Sequence, residues 1–178
     1  MADLIDRCGA LGGRRAGDGV NLLLPDGVPS PSDEPGANGR GDGLSVRWLD
    51  SSDPDDLALV RAFVESCPAE DVDEADIFVD QPDPVICVFV DDRDTIAAYA
   101  SGRAFWAAAG FDDIGVLVRP DHRGVGLGAA VVHEFAAARC GTASQLYRHD
   151  VENVGSAGVA RAVGFVELHR VHAFDFAD

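Results

Sequence analysis

An α+β fold, with a mixed sheet carrying helices on its faces, is expected from three features of this chain. The first is an apolar strand, Ile114–Val118, that runs through a glycine-rich turn into a helix-compatible stretch from Leu127 to Cys140. The second is a pair of apolar runs, Pro84–Val90 and Thr95–Phe105, joined by a polar turn at Asp91–Asp94 and read as a hairpin. The third is the alternation of strand and helix patterns from Ser144 to Phe176.

Taken in chain order, residues 1–43 stand apart from the rest. Half of the 20 glycines and four of the nine prolines fall there, with a turn-rich run from Pro25 to Gly43. A short helix (Ala2–Leu11) and a short strand (Val20–Leu24) suit the pattern, and the order of the segment stays open. A domain is expected over 44–178. Leu44–Leu49 alternates as a strand, and Ser52-Asp53-Pro54 then starts a helix with a capping side chain and a proline at its first position. Leu57, Val60, Phe63 and Val64 share one face of that helix, which Cys67-Pro68 ends. The acidic stretch Glu70–Asp76 suits a second short helix. After the hairpin come the strand Asp112–Val118, the glycine turn, and a helix stopped by Gly141. Ser144–Asp150 reads as a strand, Asn153–Val163 as a helix closed by Gly164, and Val166–Phe176 as a last extended run.

Composition narrows the partners. The chain has 178 residues, enough for one domain with a real core. Its formal charge is −17, and all 14 basic residues are arginine. Such a surface repels nucleic acid and anionic membranes, so neither is expected as a partner. A cationic amine suits it, although a compositional bias of the whole proteome gives the same charge. No apolar run approaches the roughly 20 residues of a membrane span. Met1–Ala10 carries Asp3 and Asp6 and lacks the apolar core of a signal peptide, so a cytoplasmic protein is expected. Cys8, Cys67, Cys87 and Cys140 are scattered, and the five histidines show no ligand spacing, so reduced thiols and no metal are expected.

The glycine turn carries the chemistry. A strand, a flexible turn and a helix start together expose backbone amides that have no internal acceptor. The amides of Arg123, Gly124, Val125, Gly126, Gly128 and Ala129 can surround a diphosphate, and the glycines keep side chains out of its path. Each hydrogen bond to such a charged group contributes roughly 1.5–3 kcal/mol. The helix dipole adds about 0.3–1 kcal/mol, which lets an acidic protein hold an anion locally. Arg119 and Arg123 supply nearby positive charge.

A second block, Asn153-x-x-Ser156 followed by Ala160 and Gly164-Phe165, stands roughly 30 residues after Arg123-x-x-Gly126-x-Gly128. In that order and spacing the two blocks resemble the GNAT superfamily of acyl-CoA-dependent N-acyltransferases. The resemblance spans roughly Leu44–Phe176 and is densest from Asp112 to Phe165. It implies a mostly antiparallel central sheet with helices on both faces, and acetyl-CoA as co-substrate. Pantetheine would pair with the backbone of Val116 and Val118, leaving the Val116 amide facing the thioester oxygen as an oxyanion donor. Asn153 and Ser156 would complete the donor side. Asp112, eleven residues before Arg123, matches the glutamate that serves some members as base. Many members carry a tyrosine seven residues after the asparagine; here that position is Ala160, so Ser156 or water would have to assist the departing thiolate. The acceptor implied is an amine-bearing small molecule or peptide, with Asp71, Asp73, Glu74, Phe78 and Asp80 as candidate lining and His169 and His172 nearby. A homodimer stays open.

Two other readings remain. The missing tyrosine fits a non-catalytic acyl-CoA-binding regulatory module. Gly124-x-Gly126-x-x-Ala129, with Asp150 about 20 residues on, fits a loose dinucleotide-binding oxidoreductase. Against that, Pro120 lies between the strand and the first glycine, where a dinucleotide turn is tight.

Overall fold

Seven strands form one sheet in the order β2-β3-β4-β5-β6-β1-β7. They are β1 (Gly13–Leu23), β2 (Ser45–Leu49), β3 (Val85–Val90), β4 (Ile96–Ala104), β5 (Phe111–Val118), β6 (Ser144–Asp150) and β7 (Val166–Phe176). The computed structural model describes residues 2–11, 13–25, 43–81, 85–104 and 110–176. Every neighbouring pair is antiparallel except β5 and β6, which run parallel. The expected mixed, mostly antiparallel sheet is therefore present. A dinucleotide fold, built on a parallel sheet, is not.

Helices cover both faces. α4 (Leu127–Arg139) and α5 (Val154–Val163) pack on one side, where Val131, Val132 and Phe135 meet Cys87, Ala98, Ala100 and Tyr147. α2 (Pro54–Glu65) and α3 (Ala69–Glu74) cover the other, where Val60, Phe63 and Val72 meet Ile86, Val88, Tyr99 and Leu117. The split follows from strand alternation. Cys87 and Phe89 of β3 face α4, while Ile86, Val88 and Val90 face α2. Both sides being apolar, β3 is a continuous hydrophobic run.

Local signals set the helix ends. Asp53 caps α2 by accepting from the Asp55 amide at 2.8 Å, with Pro54 behind it. Asn153 caps α5 by accepting from the Ser156 amide at 2.8 Å. Gly164 closes that helix at φ 97°, a conformation that excludes most side chains.

The N-terminal segment departs most from the sequence reading. α1 (Ala2–Ala10) is followed by β1, which is longer than Val20–Leu24 and is woven between β6 and β7. Hence residues 13–23 share the sheet with the strands that follow them. Val20 and Leu22 bury in the α4 side beside Tyr147 and Phe165. Gly17 and Gly19 hide the strand from a local reading, since glycine weakens the pattern and tertiary pairing supplies the order. The turn-rich stretch 26–42 and the outer hairpin ends, Pro84 and Phe105, lie outside the described residues. A short 3-10 turn at Pro120–His122 precedes the glycines and was not anticipated.

Candidate active site

β5 and β6 pair only from Phe111↔Ser144 to Ile114↔Tyr147, after which the register ends. The strands part, and a cleft of about 1100 Å³ opens between Gly115–Val118 and Arg148–Asp150. Its volume exceeds the roughly 300–1,000 Å³ of ordinary small-molecule pockets, so an extended ligand fits.

The parting leaves backbone groups on β5 facing the gap. The Arg119 amide donates to the Ala97 carbonyl at 3.0 Å, so odd positions near this end turn their peptide groups toward β4. By the two-residue alternation, Val116 and Val118 turn theirs the other way, where β6 has left. The Val118 carbonyl accepts from Arg123 Nε at 2.9 Å, in agreement with that direction.

At one end of the gap lies the start of α4. Gly124 and Gly126 sit at φ 79° and 87°, left-handed values that favour glycine. A Cβ on Gly128 would stand 3.1 Å from Val159 and 3.4 Å from Val118, so glycine lets α4 begin close to α5 and β5. The first intrahelical bond runs from the Ala130 amide to the Gly126 carbonyl at 3.0 Å, which leaves the preceding amides without helical acceptors. Amides left open in this way can donate to an anion, and the residues present suit the diphosphate of a coenzyme A thioester. Arg123 reaches into the cleft and donates to Asp71 at 2.7 Å. Arg119 turns aside to Asp121, with contacts of 2.7 and 3.1 Å, which hold the Asp121 carboxyl well below its usual range.

On the second lip, Asn153 does two jobs. Its Oδ1 caps α5, and its Nδ2 donates to Glu74 Oε1 at 2.5 Å. Ser156 Oγ lies 3.0 Å from the Tyr147 hydroxyl. Tyr147 is 1% exposed. Burial pushes its phenol up to about 12, against the Ser156 hydrogen bond, with the Glu74 charge adding to the rise.

The side opposite α4 is acidic. Asp113 accepts from Arg148 at 2.6 and 2.9 Å, and Arg148 also reaches Asp76 at 3.0 Å. The last turn of α3 presses on β5: a Cβ on Gly115 would stand 2.6 Å from the Ala75 carbonyl oxygen.

Val116, Val118, Arg123, Gly124, Gly126, Gly128, Ala129, Asn153 and Ser156 all line this one cleft. Val125 is exposed and lies outside the lining. Asp112 is the main correction. Its side chain points away from the gap and is 7% exposed, where it accepts from Arg139 Nε at 2.8 Å and Nη2 at 3.3 Å. Asp113, one residue on, takes the face toward the cleft, because successive strand residues point to opposite sides. Of the candidate acceptor lining, Asp71 and Glu74 border the cleft; Asp73, Phe78 and Asp80 do not. Phe78 instead carries the Arg103 guanidinium 4.9 Å over its ring. His169 and His172 are held by Asn21 at 2.9 Å and Asp18 at 2.7 Å.

The sequence reading missed Tyr147 as a cleft residue, along with Arg148 and the β1 backbone from Gly17 to Asn21. Strand parity signals the first, since Tyr147 turns to the α4 and α5 side, where its hydroxyl meets Ser156. The strand pattern at Val20–Leu24 signals only the end of β1; nothing local signals its glycine-rich first half. Among the described residues no cluster of three or more His, Cys, Asp or Glu stands ready for a metal, and no helix is long and apolar enough to cross a membrane.

Residues 48–165 match the model of the acetyltransferase (GNAT) family, and the chain belongs to that family. No curated protein matches the chain in sequence. Solved structures share its fold. A GCN5-related N-acetyltransferase-like protein from Streptococcus suis is 16% identical with a TM-score of 0.62, over 99% of this chain and 67% of that one. A GCN5-related N-acetyltransferase from Sphaerobacter thermophilus is 20% identical with a TM-score of 0.66, over 98% and 55%. One from Kribbella flavida is 19% identical with a TM-score of 0.64, over 100% and 64%. The chain thus spans between 55% and 67% of the length of these relatives.

Proposed function

We propose that this chain transfers an acetyl group from acetyl-CoA to a primary amine by direct attack in a ternary complex. One observation carries the reading. The β5–β6 gap has an anion cradle at one end, open strand amides in the middle and carboxylates on the far side.

Bound acetyl-CoA supplies the activated acyl group and a thiolate leaving group of pKa near 8.5. The amides from Gly124 to Ala129 hold its diphosphate, and glycine at 124, 126 and 128 gives the backbone room to approach. The β5 edge at Val116 and Val118 offers hydrogen bonds that align the pantetheine arm. The Val116 amide stands where negative charge grows on the carbonyl oxygen, a preorganised donor of the kind that contributes roughly 2.7–4 kcal/mol to a transition state. Ser156 donates toward the departing sulfur in place of the tyrosine that Ala160 lacks. Tyr147 has its hydroxyl in contact with Ser156, and donation from Tyr147 leaves the Ser156 hydrogen free for the cleft.

The amine is an unidentified small molecule or peptide, entering from the acidic α3 side. Calorimetry with acetyl-CoA, followed by thiol release with a panel of primary amines, tests the reading. Donor binding and amine-dependent thiol release are expected. The alanine at 160 favours one rival, an acyl-CoA-binding regulatory module, for which binding would occur without thiol release under any amine.

A further inference from the structure

Asp112 is spent on Arg139, so the acceptor ammonium needs another carboxylate to take its proton. The carboxylates around the gap differ in what already occupies them. Asp71 faces Arg123, and Asp76 and Asp113 share Arg148. Asp18, further along, is held by Arg15 and His172. Asp150 accepts the Glu152 amide at 2.8 Å and so fixes the turn before α5. Glu74 alone among them has a neutral side-chain amide as its partner, Asn153 at 2.5 Å. Among the described residues no arginine or histidine pairs with it, and it is exposed to incoming solute.

Position agrees with charge. Glu74 ends α3, and the next residue, Ala75, sets its carbonyl oxygen against Gly115, directly before Val116. Asn153 stands on the opposite lip. Glu74 therefore bridges the two lips beside the strand edge where an acyl carbon would lie, and its charge reaches the buried Tyr147 hydroxyl.

We propose that Glu74 is the catalytic base of this protein: it seats the acceptor ammonium and removes its proton as the nitrogen attacks. This rests on the N-acetyltransferase reading above. Two N–H bonds break in all. The first proton passes to the Glu74 carboxylate, forming an O–H and freeing the nitrogen pair for the acyl carbon. The second leaves the attacked nitrogen as the C–S electron pair departs on sulfur, and it ends on the thiolate to give the free thiol. No oxidant or reductant takes part.

The test is steady-state acetylation by the full chain and its Glu74→Gln and Glu74→Asp variants between pH 6 and 9, with spermidine, ethanolamine and a tripeptide amide as probe amines. Acetyl-CoA affinity is measured in parallel by calorimetry. Glutamine retains an oxygen for Asn153, so the α5 cap survives. Glu74→Gln is expected to lower kcat at neutral pH by roughly a hundredfold or more. Its rate should then climb about tenfold per pH unit toward the pKa of the amine, as free amine replaces the lost base. Donor affinity should not change, and Glu74→Asp should restore part of the rate with the wild-type profile. A Glu74→Gln rate within about threefold of wild type, or a profile parallel to it, overturns the assignment alone. A wild type that binds acetyl-CoA but acetylates none of the probes also overturns it while leaving donor capture intact. A wild type that fails to bind acetyl-CoA overturns the acyl-transfer reading as well.

Discussion

Asp112 and Arg139 are joined by two hydrogen bonds across the back of the sheet, tying the middle of the fold to the last turn of α4. Gln145 also donates to Asp112, at 3.4 Å. Removing the charge from this buried carboxylate leaves Arg139 facing a neutral amide. Asp112→Asn should therefore cost about 1–3 kcal/mol in denaturant unfolding. Acetyl-CoA affinity and kcat should stay within a few-fold of wild type. A large loss of kcat at full stability would return Asp112 to the reaction.

Gly126 opens α4 in a left-handed conformation, and a Cβ there would meet nothing within 4 Å. That open space is where the proposed diphosphate would lie. Gly126→Glu should abolish acetyl-CoA binding in calorimetry, because a carboxylate would enter the diphosphate site. Gly126→Ala adds only backbone strain, about 1–2 kcal/mol of stability, and should still bind. Equal binding by the glutamate variant would place the donor elsewhere.

On the proposed mechanism, Ser156 would be the hydroxyl that meets a departing thiolate. Ser156→Ala should reduce kcat roughly a hundredfold while acetyl-CoA affinity is unchanged. The sulfur's own acidity sets the sharper check: a donor with a more acidic thiol should narrow the gap between variant and wild type. If the gap is constant across donors, Ser156 acts on some other step.

Tyr147 links the site to alkaline stability. Its phenol is pushed from 10.0 up to about 12, chiefly by burial. Above pH 10 the unfolded chain loses that proton while the folded chain keeps it, so rising pH favours unfolding. The stabilisation is complete below about pH 10 and is lost between there and about 12. Tyr147→Phe should flatten this limb in urea unfolding at several pH values. An unchanged limb would mean that the phenol ionises freely in the native state.

Most of the sheet was legible because its strands and helices carry their own punctuation. Asp53-Pro54 and Gly164 mark helix ends by short-range chemistry, and the apolar runs of β3 and β4 can only be buried. The residues proposed to hold the donor fall together in one cleft for a similar reason: glycine spacing marks where the backbone before α4 lies open. The acceptor side was not legible. Which of Asp112 and Asp113 faces the gap depends on a single residue of strand parity, and the partner Arg139 lies 27 positions away. The Glu74–Asn153 contact joins residues 79 apart, beyond any local pattern. The first half of β1 was hidden because its glycines carry no side chain to alternate.

That hidden strand works as a keystone. β6 and β7 never touch as neighbours; each bonds to β1, with Leu22 opposite Tyr147 on one side and Gly13 opposite Phe176 on the other. Residues near the two ends of the chain must find each other before the sheet is sealed, a closure made slow by the long loop between them. A shortened protein beginning with the family match, at residue 48, would lose both ladders at once. β7 would be left without a hydrogen-bonding neighbour, and Tyr147 without the leucine that shields it.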